Sequence, residues 1–308
     1  MKKLVLIDGN AIIHRAFHAL PPLNNKDGMP TNAVYGFFMM VLKIVEDLQP
    51  EYLVVCFDKK APTFRKQLYV GYQATRPKMS DDLSPQFEVI HKALDKAKIT
   101  HFEVDGYEAD DLIGTISKEA KAKDLQTIIV SGDRDLLQLV NSNVLMLAPI
   151  VGMTKMILFD EIKVREKYGL EPWQIVDYKA LVGDASDNYP GVNGIGPKTA
   201  SNLLHQYQTL EGVYQHLGEL PPQIQEKLAN DAEQAALAKK LATIVLDAPI
   251  KFSEKDAETG KIDNAALRKV FEELNFKSLL GKVSKEPIVK TKVEVKEKKK
   301  DQGQMNLL

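Results

Sequence analysis

Leu4-Val5-Leu6-Ile7-Asp8, four apolar residues closed by a carboxylate, sets the reading of this chain. Two later stretches repeat the arrangement, Tyr52-Leu53-Val54-Val55-Cys56-Phe57-Asp58 and Thr127-Ile128-Ile129-Val130-Ser131-Gly132-Asp133. Apolar blocks at 3–7, 52–57, 126–130 and 143–148 have the length and Val/Ile content of buried strands. Segments with helical spacing, notably 33–48, 85–97 and 107–122, lie between them. Buried strands alternating with helices predict an α/β fold, a mainly parallel central sheet with helices on both faces. Beyond about residue 160 apolar residues recur at helical spacing through 160–167, 172–182, 198–206, 221–246 and 263–275, with no convincing strand. A helical half is expected to follow the α/β half.

Composition narrows the class. The 308 residues, 44% hydrophobic and 27% charged, suffice for a packed core and exclude a disulfide miniprotein, a collagen-like fibre and a wholly disordered chain. Basic and acidic residues nearly cancel, 41 against 42, so charge distribution matters more than net charge. No stretch approaches the roughly 18 apolar residues of a membrane span, and the N-terminal run is too short for a signal peptide. The single cysteine, Cys56, lies within an apolar strand and reads as a reduced core thiol of a cytoplasmic protein. The six histidines form no zinc-ligand motif.

One aspartate after a strand is ordinarily a helix cap or turn residue. Here the pattern is denser. Asp8, Asp58 and Asp133 close strands, where ligands of open parallel sheets bind. Glu108-Ala109-Asp110-Asp111 opens a helix after a further short strand expected at 100–104. Asp135 follows Asp133 by two, and Asp184 and Asp187 are three apart. So many like charges at one sheet edge require compensation, and all-oxygen ligands favour Mg²⁺, with Mn²⁺ able to substitute. Two such ions about 4 Å apart suit in-line attack of water on a phosphodiester. Flanking cations are then needed. Lys59, Lys60, Arg65, Lys66, Arg76 and Lys78 lie in an acid-free segment, 59–80, interleaved with Phe64, Tyr69 and Tyr72, which can stack on unpaired bases.

Gly191-Val192-Asn193-Gly194-Ile195-Gly196-Pro197-Lys198-Thr199-Ala200 is the second strong signal. Pro197 breaks the P-loop pattern and no strand precedes it, so it reads as a hairpin between two helices. Its glycines let the turn approach a phosphate, and the helix-start amides with Lys198 bind the anion without reading sequence.

Together these motifs resemble the 5′-nuclease domain of bacterial DNA polymerase I and its free-standing relatives, the flap endonuclease family. The resemblance covers about 1–280. It is carried by Leu6-Ile7-Asp8-Gly9-Asn10, Thr31-Asn32-Ala33-Val34-Tyr35-Gly36, Phe57-Asp58, Glu108-Ala109-Asp110-Asp111, Ser131-Gly132-Asp133-Arg134-Asp135, Gly183-Asp184-Ala185-Ser186-Asp187-Asn188 and the glycine hairpin. In 308 residues there is no room for a polymerase.

The resemblance implies a PIN-like nuclease core over 1–160, with a helical arch at about 65–90 through which a 5′ strand threads. It implies a helical DNA-binding subdomain over 161–284 with a helix–three-turn–helix element. Asp8, Asp58, Glu108, Asp110 and Asp111 would surround a first metal, and Asp133, Asp135, Asp184 and Asp187 a second. Arg15, Arg65 and Arg76 match residues that hold the scissile phosphate and flap, and Lys66, Tyr72 and Lys78 fall among the DNA contacts. Gly191, Val192, Gly194, Ile195, Gly196, Lys198 and Thr199 form the duplex grip, which in relatives often carries K⁺. Gln73 departs from the pattern: relatives commonly have a lysine there that assists catalysis, so slower cleavage is expected.

From Lys285 onward the chain is polar and lysine-rich and reads as a disordered tail over 285–308. Its end, Gln304-Met305-Asn306-Leu307-Leu308, resembles the bacterial sliding-clamp motif, with Gln304, Met305, Leu307 and Leu308 as the contacts. The expected protein is a monomeric, metal-dependent, structure-specific 5′-3′ exonuclease and flap endonuclease, cytoplasmic and nucleoid-associated. It would act on 5′ flaps and RNA primers in replication and repair. The alternatives are a clamp-recruited junction binder with catalysis impaired by Gln73, and a PIN-like ribonuclease.

Overall fold

A computed structural model describes residues 1–153 and 155–283. The α/β part runs β1 (Lys2–Asp8), α1 (Gly9–Ala19), α2 (Asn32–Leu48), β2 (Tyr52–Cys56), α3 (Phe64–Leu68) and α4 (Ser84–Ala97). It continues with β3 (His101–Phe102), α5 (Ala109–Ala122), β4 (Leu125–Val130), β5 (Val144–Val151) and β6 (Lys155–Phe159). These strands form one sheet in the order β3-β2-β1-β4-β5-β6, parallel except for the antiparallel β5–β6 pair. Side chains alternate across it. Val5 and Ile7 pack with Phe37, Phe38 and Ile90 of α2 and α4, while Leu4 and Leu6 pack with Leu112, Ile113 and Ile116 of α5. Both faces are buried, as the continuous apolar runs require.

β1 is central, and the chain passes to β2 on one side and β4 on the other. The segments that follow β1, β2 and β4 therefore diverge around one crevice at the carboxyl edge, the place where open sheets bind ligands.

A helical unit follows: α6 (Glu161–Tyr168), α7 (Ile175–Val182), β7 (Gly183–Asp184), β8 (Tyr189–Pro190), α8 (Pro197–Tyr207), α9 (Leu210–Gln215), α10 (Pro222–Asn230) and α11 (Ala232–Ala242). Leu181, Val192, Ile195, Leu203, Leu204, Val213 and Leu228 form its own core. The last elements are α12 (Glu254–Ala257), α13 (Asn264–Glu273) and α14 (Lys277–Leu280).

Several expectations are corrected. The helical subdomain does not extend to 284: Leu267, Val270, Phe271 and Leu279 return to the sheet and pack with the α2 and α4 face, and Ala257 with the other. The helical half is not strand-free, since β7 pairs with β8, and β6 adds an antiparallel edge to the sheet. The segment 65–90 is not a continuous helical arch. Residues 69–83 contain no helix, only a turn at 70–75, a bend at Arg76, irregular backbone from Pro77 and a turn at 81–83, and α4 lays Ile90, Ala93, Leu94 and Ala97 into the core. The stretch 221–246 breaks at Asp231 and ends as helix at Ala242. The tail and its clamp-like residues lie outside the described residues. No helix among the described residues is long and apolar enough to cross a membrane.

Candidate active site

β1 runs straight into α1, so Asp8 is both the last strand residue and the helix cap, its Oδ1 accepting from the Ala11 amide at 2.9 Å. Its Oδ2 accepts from the Ser131 hydroxyl at 2.6 Å. That same hydroxyl accepts from the Asp133 amide at 2.9 Å and so ties the ends of β1 and β4 together. Beyond β2, the Asp58 amide donates to Asn10 Oδ1 at 3.1 Å, and Asp58 Oδ1 accepts from the Ala109 amide at the start of α5 at 2.7 Å. The ordinary capping role and the clustering coexist: caps hold the carboxylates in place.

Asp8, Asp58, Glu108, Asp110 and Asp133 line one cavity of about 510 Å³ together with Asp135, Asp187, Arg65, Tyr72, Gln73 and Arg76. Burial pushes the Asp8 carboxyl up to about 7, and the neighbouring Asp58 and Asp133 charges add to it. Burial likewise raises Glu108 to about 7 despite the Arg65 guanidinium. Asp110 is driven well above the usual carboxylate range by burial and by Asp133, Asp8, Asp58 and Glu108. Asp58 is an exposed residue at the rim, yet the protein mass around its carboxyl, with Asp133 and Asp111 nearby, also raises it. Crowded like charges make each ionisation costly.

The second group is neutralised internally. Asp135, Asp184 and Asp187 bring one carboxylate oxygen each within 4.8 Å of one another. Lys179 of α7 reaches both Asp135 and Asp184, and Arg76 donates to Asp187 Oδ1 at 2.6 Å. Burial works against ionisation of Asp184, but Lys179 and the Ser186 donors outweigh it and hold its pKa below the usual value. Gly183 makes the arrangement possible. Its φ is +77°, and a Cβ there would lie 2.4 Å from the Gly191 nitrogen, so only glycine can fold Asp184 back over Lys179.

At the hairpin Gly194 has φ +74°, and Gly196 precedes α8 with open space where a Cβ would stand. Lys198 is exposed on the first turn of α8.

Residues 3–169 match the 5′-3′ exonuclease N-terminal resolvase-like domain, and 170–265 the 5′-3′ exonuclease C-terminal SAM fold. The chain belongs to the 5′-3′ exonuclease family. It is 40% identical over 285 residues to the 5′-3′ exonuclease of Aquifex aeolicus, covering 92% of this chain and 96% of that protein. It is 42% identical over 289 residues to DNA polymerase I of Caldicellulosiruptor bescii, covering 93% of this chain. The chain spans about a third of the length of that polymerase (34%). The T5 D15 flap endonuclease, solved in complex with DNA and metal ions, shares the fold with a TM-score of 0.67 at 19% identity. That match covers 89% of this chain and 98% of the T5 chain.

Within this exonuclease-family chain several assignments need correction. Asp111 does not face the cavity. It is fully buried, and its two oxygens accept from both terminal nitrogens of Arg65 at 2.7 and 2.8 Å. Arg65, 2% exposed, also donates to the Leu241 and Thr243 carbonyls and lies 3.4 Å from Glu108 Oε2 at the cavity wall, so it braces α3, α5 and the end of α11, with its donors engaged by the protein instead of a phosphate. Tyr72 is buried too, 3% exposed at the cavity wall: its hydroxyl lies 3.1 Å from Glu108 Oε2 and 3.2 Å from Asp187 Oδ2, and one face of its ring stacks on Tyr189 instead of a base. Val192 and Ile195 anchor the hairpin in the helical core, and Gly191 packs against Gly183 instead of facing outward. The hairpin does follow a strand, the short β8. Lys66 and Lys78 are exposed and do not line the cavity. Arg15 lines the adjoining groove, its Nε donating to the Gly152 carbonyl at 2.9 Å.

Sequence reasoning missed Lys179, whose signal was a lysine inside the apolar run Tyr178-Lys179-Ala180-Leu181-Val182. It also missed Ser131 and Asn10, which orient Asp8 and Asp58, and Lys227, whose ammonium donates to the Gly194 carbonyl at 3.1 Å.

Proposed function

We propose that this chain is a divalent-metal-dependent 5′-3′ exonuclease and flap endonuclease that hydrolyses phosphodiesters at 5′ flaps and RNA primers in DNA replication and repair. The observation that carries this reading is the convergence of Asp8, Asp58, Asp110 and Asp133 on one cavity with raised pKa values and, among the described residues, no ion-pair partner. Such a group is costly to a binding module and useful to a site that takes a cation. The donors are all oxygen, and Asp110 has no hydrogen-bond partner among the described residues, so the set fits a hard ion such as Mg²⁺ or Mn²⁺.

Asp8, Asp58, Asp110 and Asp133 would hold one ion, and Asp135, Asp184 and Asp187 a second. Divalent ions bound there supply Lewis-acid polarisation of the phosphodiester and a water of lowered pKa. The chain's own groups hold and orient. Ser131 and the Ala11 amide fix Asp8; Thr63, Tyr72 and Arg65 fix Glu108 at the cavity wall. Arg76, 47% exposed in its side chain, can leave Asp187 for a substrate phosphate. Gln73 offers a hydrogen bond there but no charge. Duplex DNA would lie along the hairpin, gripped through Gly194, Gly196, Lys198 and Thr199 without base recognition, with K⁺ at the turn. The C-terminal residues would tether a monomeric enzyme to the sliding clamp. Deleting 304–308 then removes clamp binding and spares cleavage of free flaps.

The test is a 5′-labelled flap duplex with Mg²⁺, comparing wild type with Asp133→Ala. Cleavage near the single-strand/double-strand junction, abolished by the substitution and by chelation, is expected. Undiminished cleavage by Asp133→Ala would refute the proposal.

A further inference from the structure

We propose that Lys179 is a tethered cation that competes with a divalent ion for the Asp135–Asp184–Asp187 cluster, so that an ion is held there tightly only when the ammonium withdraws. The inference rests on the metal-dependent reading above and concerns the cost of filling the second position.

Two carboxylate groups share this cavity, and they differ in one respect. Asp8, Asp58, Asp110 and Asp133 have no cationic side chain within ion-pair distance among the described residues, although Arg76 and Lys179 lie near enough to favour ionisation of Asp133, and among nearby charges mutual repulsion dominates at Asp8 and Asp110. Asp135 and Asp184 instead share the Lys179 ammonium, and Asp187 carries Arg76. Three negative charges there meet two positive ones supplied by the chain. The pairing is well shielded: side-chain exposure is 15% for Lys179, 13% for Asp135 and 10% for Asp184. An ion is therefore drawn first to the unpaired group. At the second group it must displace a charge already in place, since ammonium and metal seek the same oxygens.

Lysine suits this exchange better than arginine. Its charge is compact, and its four-carbon stem lets the ammonium move without dragging a planar fork from several partners. There is also room for it. Lys179 lines a groove of about 930 Å³ beside the cluster, shared with Tyr178 and Ser186. Arg65 is the contrast: it is fastened by carbonyls on two sides and has nowhere to withdraw. The geometry thus separates a permanent brace from an exchangeable counter-ion.

The experiment is a calorimetric Mn²⁺ titration of the full chain, wild type against Lys179→Met, with thermal unfolding of both in chelator and in saturating Mn²⁺. Wild type should show one tight and one weak class of site. Lys179→Met should tighten the weak class on the order of tenfold to a hundredfold and change the tight class much less, since there Lys179 acts only through its nearby charge on Asp133. It should also unfold at a lower temperature than wild type in chelator, and gain more from Mn²⁺. Lys179→Arg, which keeps the charge, should leave the weak class weak. A weak class unchanged or further weakened by Lys179→Met overturns the proposal. Should that variant fail to fold, Lys179→Gln is read by the same criteria. If wild type binds no Mn²⁺ at all, the metal-dependent reading itself fails, a result distinct from wild-type binding that ignores residue 179.

Discussion

Replacing Arg65 with methionine separates a structural brace from a phosphate-binding residue. The guanidinium makes two bonds to Asp111, at 2.7 and 2.8 Å, and one each to the Leu241 and Thr243 carbonyls, at 2.8 and 2.9 Å. Methionine fills much of the volume but leaves the Asp111 carboxylate, fully buried, with only the Glu108 and Val245 amides as donors. Breaking a buried ion pair from one side costs about 3–5 kcal/mol, against a total stability of about 5–15 kcal/mol. With a urea slope of roughly 3 kcal/mol/M, the unfolding midpoint should fall by roughly 1–1.7 M. Adding Asp111→Asn removes the stranded charge but keeps an oxygen for only one of the two backbone amides, so the double variant should recover part of the loss. Urea unfolding followed by circular dichroism reads both. An Arg65→Met protein that unfolds at the wild-type midpoint yet cleaves flaps poorly would refute the brace and return Arg65 to the chemistry.

Further outcomes follow from the same geometry. Asp8 and Glu108 have folded pKa values raised to about 7, so they favour the protonated folded state and their destabilising effect grows as pH climbs from about 4 to about 7. In chelator the protein should therefore melt higher at pH 5.5 than at pH 8, a gap that Mg²⁺ narrows; a higher melting point at pH 8 in chelator contradicts this. The depressed Asp184 acts only below the usual carboxylate range and does not offset the trend in that window. Gln73 lines the cavity, and Gln73→Lys should raise single-turnover flap cleavage; an unchanged or lower rate counts against it. Gly191→Ala places a Cβ 2.3 Å from the Gly183 nitrogen and 2.4 Å from the Leu181 carbonyl oxygen, and should cost about 3 kcal/mol or more, with Asp184 displaced. A thermal midpoint within a degree of wild type would show that the backbone contact is looser than described.

Much of the sheet was legible because its strands are continuous apolar runs closed by turn chemistry. Leu4 to Ile7 and Tyr52 to Phe57 admit little else. α1 escaped because it begins at Gly9 directly after β1, so that only Asp8, Gly9 and Asn10 separate the apolar residues of the strand from Ala11, Ile12 and Ile13 of the helix. β6 escaped because Lys155-Met156-Ile157-Leu158-Phe159 follows β5 through a turn with no strong hairpin signature, only Gly152 at φ +56°. β7 and β8 are two residues each, too short for any periodicity to register.

The carboxylates divide in the same way. Residue type and position after strands identified an acidic crevice suited to a divalent ion, because strand ends of a parallel sheet share one edge whatever the loops do. Which acids face that crevice was not readable. Asp110 and Asp111 are adjacent and chemically identical, but a helix turns successive residues by about 100°, sending one into the cavity and the other into the protein toward Arg65, 46 positions earlier. Lys179 and Asp135 are likewise 44 positions apart, brought together only when α7 docks beside the short 3-10 turn, Asp135–Leu139, that follows β4. The amino-acid order determined the local backbone and the kind of chemistry available. Which charges remain free for a ligand and which are consumed by another side chain is a long-range matter, decided only when distant segments pack.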